Sequence, residues 1–174
     1  MSRAKRILIV LGIAAGVILL VAVTVFFSVT GQKTKLEHKT YNQDASGKKL
    51  AIITDNTEYK SQLYEACAQK AGSGCLVEVY GLEDAAKVSC NDYDLVAVVA
   101  PVYIGRLQSN AKRYIEKNSS SENLMLIVTS EGINDLGLDV DAVTTATSSQ
   151  FSDEPEAPIL SVDEVSDMIM ERLS

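Results

Sequence analysis

The sequence predicts an open α/β domain, a parallel sheet with helices on both faces, following a single N-terminal transmembrane helix. Three observations predict it. Residues 7–29 (ILIVLGIAAGVILLVAVTVFFSV) are almost wholly apolar, inside a charge-free stretch that runs to residue 32. Beyond a polar segment, short β-branched runs alternate with segments whose apolar residues recur at helical spacing. One of the runs, residues 95–100 (LVAVVA), is continuously apolar, as a strand covered on both faces should be. Strands alternating with helices in one chain form parallel sheets through crossover connections.

The apolar run is long enough, at about 1.5 Å per helical residue, to cross a hydrocarbon layer of about 30 Å. A helix satisfies its own backbone hydrogen bonds where lipid offers none. The basic tail, residues 1–6, carries Arg3, Lys5 and Arg6, so a cleaved signal peptide is the competing reading. The run exceeds the usual signal-peptide core and no small-x-small cleavage site follows it, which favours a retained anchor. Gly12 and Gly16 form a GxxxG, for which small residues met by chance in an apolar helix are the plainer explanation.

Residues 30–48 are polar and without clear period, and read as a linker containing the only histidine, His38. Their lysines compete with the basic tail in setting topology. A short basic tail that stays in the cytoplasm would put the domain outside, the side this reading favours. Residues 49–174 are enough for one compact domain. Residues 49–54 (KLAIIT) form the first strand, and Asp55-Asn56-Thr57 can cap the helix that follows. That helix buries Leu63, Tyr64, Cys67, Ala68 and Ala71 and stops at Gly72-Ser73-Gly74.

Residues 75–80 (CLVEVY) are the second strand, residues 82–88 a helical turn, and residues 95–100 the third and central strand. Residues 101–105 (PVYIG) read as a loop before a helix with Leu107, Ala111, Tyr114 and Ile115 inward. Residues 124–129 (LMLIVT) make a fourth strand. The polar, acidic segment 130–157 is too long for an ordinary connection and reads as a functional loop, a shrunken helix or a disordered stretch. Pro158-Ile159-Leu160 is the candidate last strand. Ser161 and Glu164 then set a capping box that opens a terminal helix with Val162, Val165, Ile169 and Leu173 inward.

All 23 acids lie beyond residue 6, while three of the 16 bases lie within residues 1–6, so the rest of the chain carries −10. Such a surface gives nucleic acid no electrostatic foothold, and none is expected as a partner. Three cysteines, Cys67, Cys75 and Cys90, make no complete disulfide set and show no metal-ligand spacing. Buried thiols are the simplest account, with a Cys67–Cys75 pair as the alternative in an oxidising compartment. With His38 in the linker, no histidine-based triad or metal cluster is expected in the domain, and the acids Asp135, Asp139 and Asp141 lack any calcium-loop register.

Residues 92–118 (DYDLVAVVAPVYIGRLQSNAKRYIEKN) resemble the third strand, loop and helix of flavodoxin-like proteins, and are most similar to the flavodoxin-type protoporphyrinogen oxidases. Residues 49–71 resemble the first strand and helix more loosely, so the likeness covers most of residues 49–130. It implies a five-stranded sheet of order 2-1-3-4-5 holding FMN, and electron transfer as an oxidoreductase or electron carrier. In such sheets ligands sit outside the carboxyl ends of the strands, where strand order reverses.

On that reading Thr54, Asn56, Thr57 and Ser61 supply hydroxyls, an amide and N–H donors to the flavin phosphate at a helix N-terminus. Pro101, Tyr103 and Gly105 shape the second loop, with Tyr103 against the isoalloxazine ring. The plain alternatives are that Asn56 or Thr57 only caps the helix and that Tyr103 packs on the helix it precedes. The first loop, TDNTEYKS, contains no glycine, and its Asp55 and Glu58 stand near any dianion unless Lys60 offsets them. Two functions follow: an anchored FMN protein passing electrons to a redox partner at the membrane face, or a flavodoxin-like domain without FMN that serves there as a binding or scaffold module.

Overall fold

A computed structural model describes residues 35–103, 106–130, 141–146 and 160–174. The predicted anchor and the first part of the linker lie outside them. No helix among the described residues is long and apolar enough to cross a membrane.

In chain order the elements are β1 (Lys39–Tyr41), β2 (Lys48–Thr54), α1 (Glu58–Ala71), β3 (Cys75–Gly81), β4 (Leu95–Tyr103), β5 (Arg106–Leu107), α2 (Ser109–Asn118), β6 (Leu124–Ser130), β7 (Asp141–Ala146) and α3 (Val162–Leu173). Short 3-10 turns cover Gly72–Gly74, Leu82–Lys87 and Cys90–Asp92. The sheet order is β1-β3-β2-β4-β6-β7, with β5 paired to β4. β3, β2, β4, β6 and β7 are mutually parallel, whereas β1 joins β3 antiparallel. Numbered among themselves, the parallel strands run 2-1-3-4-5, the expected flavodoxin-like order, and β1 extends the edge beside the second.

Alternating residues of the strands face two separate cores. Leu50, Ile52, Val77, Val79, Ala97, Val99 and Ile127 pack under α1 and α3, which contribute Leu63, Tyr64, Cys67, Val165 and Ile169. Ala51, Ile53, Val96, Val98, Leu126 and Val128 pack on the other face against Ala111, Tyr114 and Ile115 of α2 and against Leu82, Ala85 and Val88 of the crossover. The continuous apolar run of β4 is thereby explained, because residues 95–100 are buried on both faces. Removing this much apolar surface from water is the main favourable term of the fold.

The helix ends follow their local chemistry. Gly72 takes φ +52° at the C-cap of α1, where its N–H donates to the Ala68 carbonyl, a conformation open to glycine and costly for other residues. Ser161 and Glu164 form the expected capping box: the Ser161 N–H donates to Glu164 Oε2 at 2.8 Å and the Glu164 N–H to Ser161 Oγ at 3.2 Å. On α2, Gln108 takes the N-cap role, its Oε1 accepting from the N–H groups of Asn110 and Ala111. Leu107 accordingly belongs to β5 rather than to the helix.

Several expectations are corrected. The linker was expected to run to residue 48, yet Leu36 is buried in the core under α1 and Lys39–Tyr41 pairs with β3. Three residues of an edge strand carry too little periodicity to be seen locally; the bonds that hold them come from β3. The fifth parallel strand is Asp141–Ala146, inside the acidic segment, and not the stretch ending at Leu160, which is a coil residue packed against the core. Pro158 and Ile159, like the remainder of the acidic segment, lie outside the described residues. β4 continues through Pro101 to Tyr103, so the expected loop starts later than its composition suggested. Cys67, Cys75 and Cys90, by contrast, are free and buried, as the simplest account of them expects, and Cys67 and Cys75 form no pair.

Candidate functional site

The strand order reverses between β2 and β4, and the first loop leaves the sheet at the carboxyl end of β2. Thr54, its last residue, is aligned with Val99 of β4 and fully buried. The Thr54 hydroxyl donates to the Val99 carbonyl at 3.0 Å, tying the end of β2 to the middle of β4. That hydroxyl is therefore committed to the sheet.

Asp55 follows in the turn to α1, and Lys60 lies in the first turn of the helix. Lys60 Nζ donates to Asp55 Oδ2 at 2.9 Å, with the lysine side chain 3% and the aspartate side chain 10% exposed. A pair so far removed from water is strongly coupled, because each charge loses its solvation if the other is taken away. Among the other candidates, Asn56 and Thr57 are exposed, and Thr57 occupies the N-cap of α1 without a side-chain capping bond. The Ser61 hydroxyl donates to the Glu58 carbonyl at 2.8 Å, a local bond within the helix start.

A phosphate dianion does not fit this loop well. Its lysine is already paired with its own aspartate, Glu58 is exposed beside it, two hydroxyls donate to backbone carbonyls, and no glycine opens the backbone.

The second loop is narrower than expected. β4 and β5 form a small hairpin with Tyr103 opposite Arg106, and the Gln108 N–H donates to the Pro101 carbonyl at 3.3 Å. Pro101 is buried within β4 at the base of this hairpin. Gly105 and the Tyr103 ring, expected beside a flavin, lie outside the described residues. The first and second loops thus start from adjacent strands, while the third, after β6, leaves the described part of the chain.

Sequence reasoning misplaced His38. It lies against β3, its ring stacked on Tyr80 at 4.4 Å and its Nε2 3.1 Å from Glu78 Oε1. Tyr93 donates to Glu78 Oε2 at 2.8 Å and is 2.8 Å from the Tyr80 hydroxyl. Burial first, and then its bonds to Tyr80 and Glu78, hold the Tyr93 phenol well above its ordinary range. Alternation in CLVEVY could have shown that Glu78 and Tyr80 share a face, but not that the histidine returns to it. No group of three metal-ligating side chains gathers among the described residues.

On the α2 face, Leu82, Val88, Arg113, Tyr114 and Lys117 line a cavity of about 140 Å³. This is well under the roughly 300 to 1,000 Å³ of ordinary ligand pockets.

No protein-family model and no curated protein sequence matches the chain. Among solved structures it is similar to a flavodoxin from the domain Archaea, at 10% identity over 72% of this chain and 98% of that one, with a TM-score of 0.45. It is also similar to the Fusobacterium nucleatum flavodoxin bound to flavin mononucleotide, at 10% identity over 72% and 92%, with a TM-score of 0.41. A flavo-diiron protein from Thermotoga maritima matches at 9% identity and a TM-score of 0.42; it covers 76% of this chain, which spans 38% of that longer one. The fold assignment itself rests on the strand order and pairing described above.

Proposed function

We propose that this chain is a flavodoxin-like electron-transfer protein that holds a flavin at the reversal point between β2 and β4, tethered to a membrane through residues 7–29. The supporting observation is the parallel pairing of β2 with β4, which puts the loops that follow both strands at one edge of the sheet, where strand order reverses. The likeness of residues 92–118 to flavodoxin-type proteins points to FMN as the flavin. Bound there, a flavin supplies one- or two-electron chemistry, and the protein supplies orientation and electrostatics. The acidic body favours a redox partner with a basic face, at the membrane. Nothing in the site assigns a substrate, so the protoporphyrinogen oxidase activity is a narrower proposal within this one.

The second reading, a binding or scaffold module without flavin, is favoured by one observation, the buried Asp55–Lys60 pair in the loop that would hold the phosphate. The two separate in one experiment. Full-length protein purified in detergent micelles is titrated with flavins and followed by flavin absorbance, fluorescence quenching and melting temperature. Electron transfer requires saturable binding and a rise in melting temperature; a protein that does neither with any flavin is a module of the second kind.

A further inference from the structure

The sheet face under α2 is covered sparingly. Between β3 and β4 the chain passes through two 3-10 turns, Leu82–Lys87 and Cys90–Asp92, where a parallel crossover usually carries a full helix. A groove is left between the turn Leu82–Lys87 and α2. Asn110, Arg113, Tyr114 and Lys117, spaced i, i+3, i+4 and i+7, form its helical wall. The buried side chains of Leu82, Val88 and Tyr114 give it an apolar lining.

We propose that this groove docks an acidic segment of a partner protein, with one bulky apolar side chain entering the cavity and the flanking carboxylates meeting Arg113 and Lys117. The proposal stands apart from the flavin crevice and holds with or without a bound flavin.

Charge carries the first part of the argument. Beyond residue 6 the chain carries −10, and its cations largely find acids of their own. Lys60 pairs with Asp55, Lys70 with Asp167, Lys87 with Asp84 and Lys112 with Glu116. Arg113 and Lys117 are exposed, and among the described residues they make neither an ion pair nor a side-chain hydrogen bond. Glu83, the acid on the opposite wall, pairs with neither. Two like charges at i, i+4 repel one another, and a carboxylate set between them replaces that repulsion with two attractions. The Arg113 guanidinium also offers the planar fork that binds carboxylates in two places.

Size carries the second part. The cavity of about 140 Å³ is close to the roughly 150 Å³ that admits a benzene-sized ring, so it has room for one leucine- or phenylalanine-sized side chain. An apolar anchor in a pocket, with charge pairs at the rim, is the arrangement that gives protein interfaces their affinity and their selectivity. A flat anionic bilayer would meet the two cations and leave the cavity empty, so a partner protein fits the groove better than a membrane surface does.

The test uses the full chain in neutral detergent micelles and fluorescein-labelled synthetic peptides, read by anisotropy. Each peptide has a central Leu, Met, Phe or Trp flanked by Asp and Glu; its twins have Ser flanks, Lys flanks, or a central Ala between acidic flanks. At least one acidic peptide with a bulky centre is expected to saturate at least tenfold more tightly than all its twins. Arg113→Glu/Lys117→Glu is expected to weaken it at least tenfold, and Ala86→Phe, which puts a ring into the cavity, to remove the advantage of the bulky centre.

Acidic peptides that do not saturate, or that bind no better than their twins, overturn the proposal, as does binding that neither variant changes. Amide hydrogen exchange over Ser109–Asn118 is followed in parallel with the full chain in nanodiscs of zwitterionic or anionic lipid. Protection that rises with anionic lipid and not with peptide assigns the face to the membrane and overturns the proposal too. The comparison of peptide twins on wild type decides the matter even if a variant fails to fold.

Discussion

Replacing Lys60 with methionine keeps an unbranched side chain of similar length and removes its charge. Lys60 is 3% exposed and its ammonium sits 2.9 Å from Asp55 Oδ2, so the variant removes a buried cation that meets a carboxylate only 10% exposed. Removing one member of a buried pair costs about 3–5 kcal/mol, whereas replacing both members with apolar groups of similar volume is often close to neutral. Lys60→Met is therefore expected to lower unfolding stability by about 3–5 kcal/mol, and the double variant Asp55→Leu/Lys60→Met by far less. Urea denaturation of the four proteins of the cycle, followed by circular dichroism, gives the coupling directly. A loss below about 1 kcal/mol for Lys60→Met, the range of exposed ion pairs, would show that the pair is solvated and that the loop's cation is available to a ligand. A double variant as unstable as the sum of the singles would refute the coupling as well.

Gly72→Ala is expected to cost about 1–3 kcal/mol in the same assay: φ +52° with ψ −145° is a region that side chains rarely adopt, and no neighbour lies where the added Cβ would go, so the cost is conformational. Ser161→Ala removes a cap from α3 and should cost about 1 kcal/mol, with no change in flavin binding measured by titration. Burial pushes the Cys67 thiol from 9.0 up to about 12. Because this raised value belongs to the folded state, the stabilisation it represents is complete below pH 9 and is lost as pH rises toward 12. Denaturation midpoints measured from pH 8 to pH 11 should fall with a shallower slope in Cys67→Ala than in wild type. In the native protein Cys67 should also resist alkylation at pH 8 and react once urea unfolds the chain.

The site was only partly readable along the chain. Thr54, Asn56, Thr57 and Ser61 are small polar residues between a strand and a helix, where such residues offer donors to an anion. The structure keeps them in one turn but gives two of their hydroxyls to backbone carbonyls. That partition depends on where Val99 and Glu58 place their carbonyls, which the types of residue in the loop do not encode. Lys60 stands in the sequence as the cation to offset Asp55 and Glu58, but its burial with Asp55 is decided only when the loop closes. His38 was assigned to the linker because nothing adjacent to it is apolar or periodic, although its partners Glu78 and Tyr80 lie forty or more residues away.

By itself, the sequence determined the elements whose signals are local. Two-residue alternation and continuous apolar runs marked β2, β3, β4 and β6. Helical spacing marked α1, α2 and α3, and Gly72 and the Ser161–Glu164 box marked helix ends. Those signals lie within a few residues of one another, so each segment announces its own burial. Tertiary structure alone decided that Lys39–Tyr41 closes one edge of the sheet, that Asp141–Ala146 is its fifth parallel strand, and that Lys60 belongs to Asp55. An edge strand or a buried charge pair is stabilised by groups brought together only when the chain folds, and short polar stretches carry no pattern that names their partners in advance.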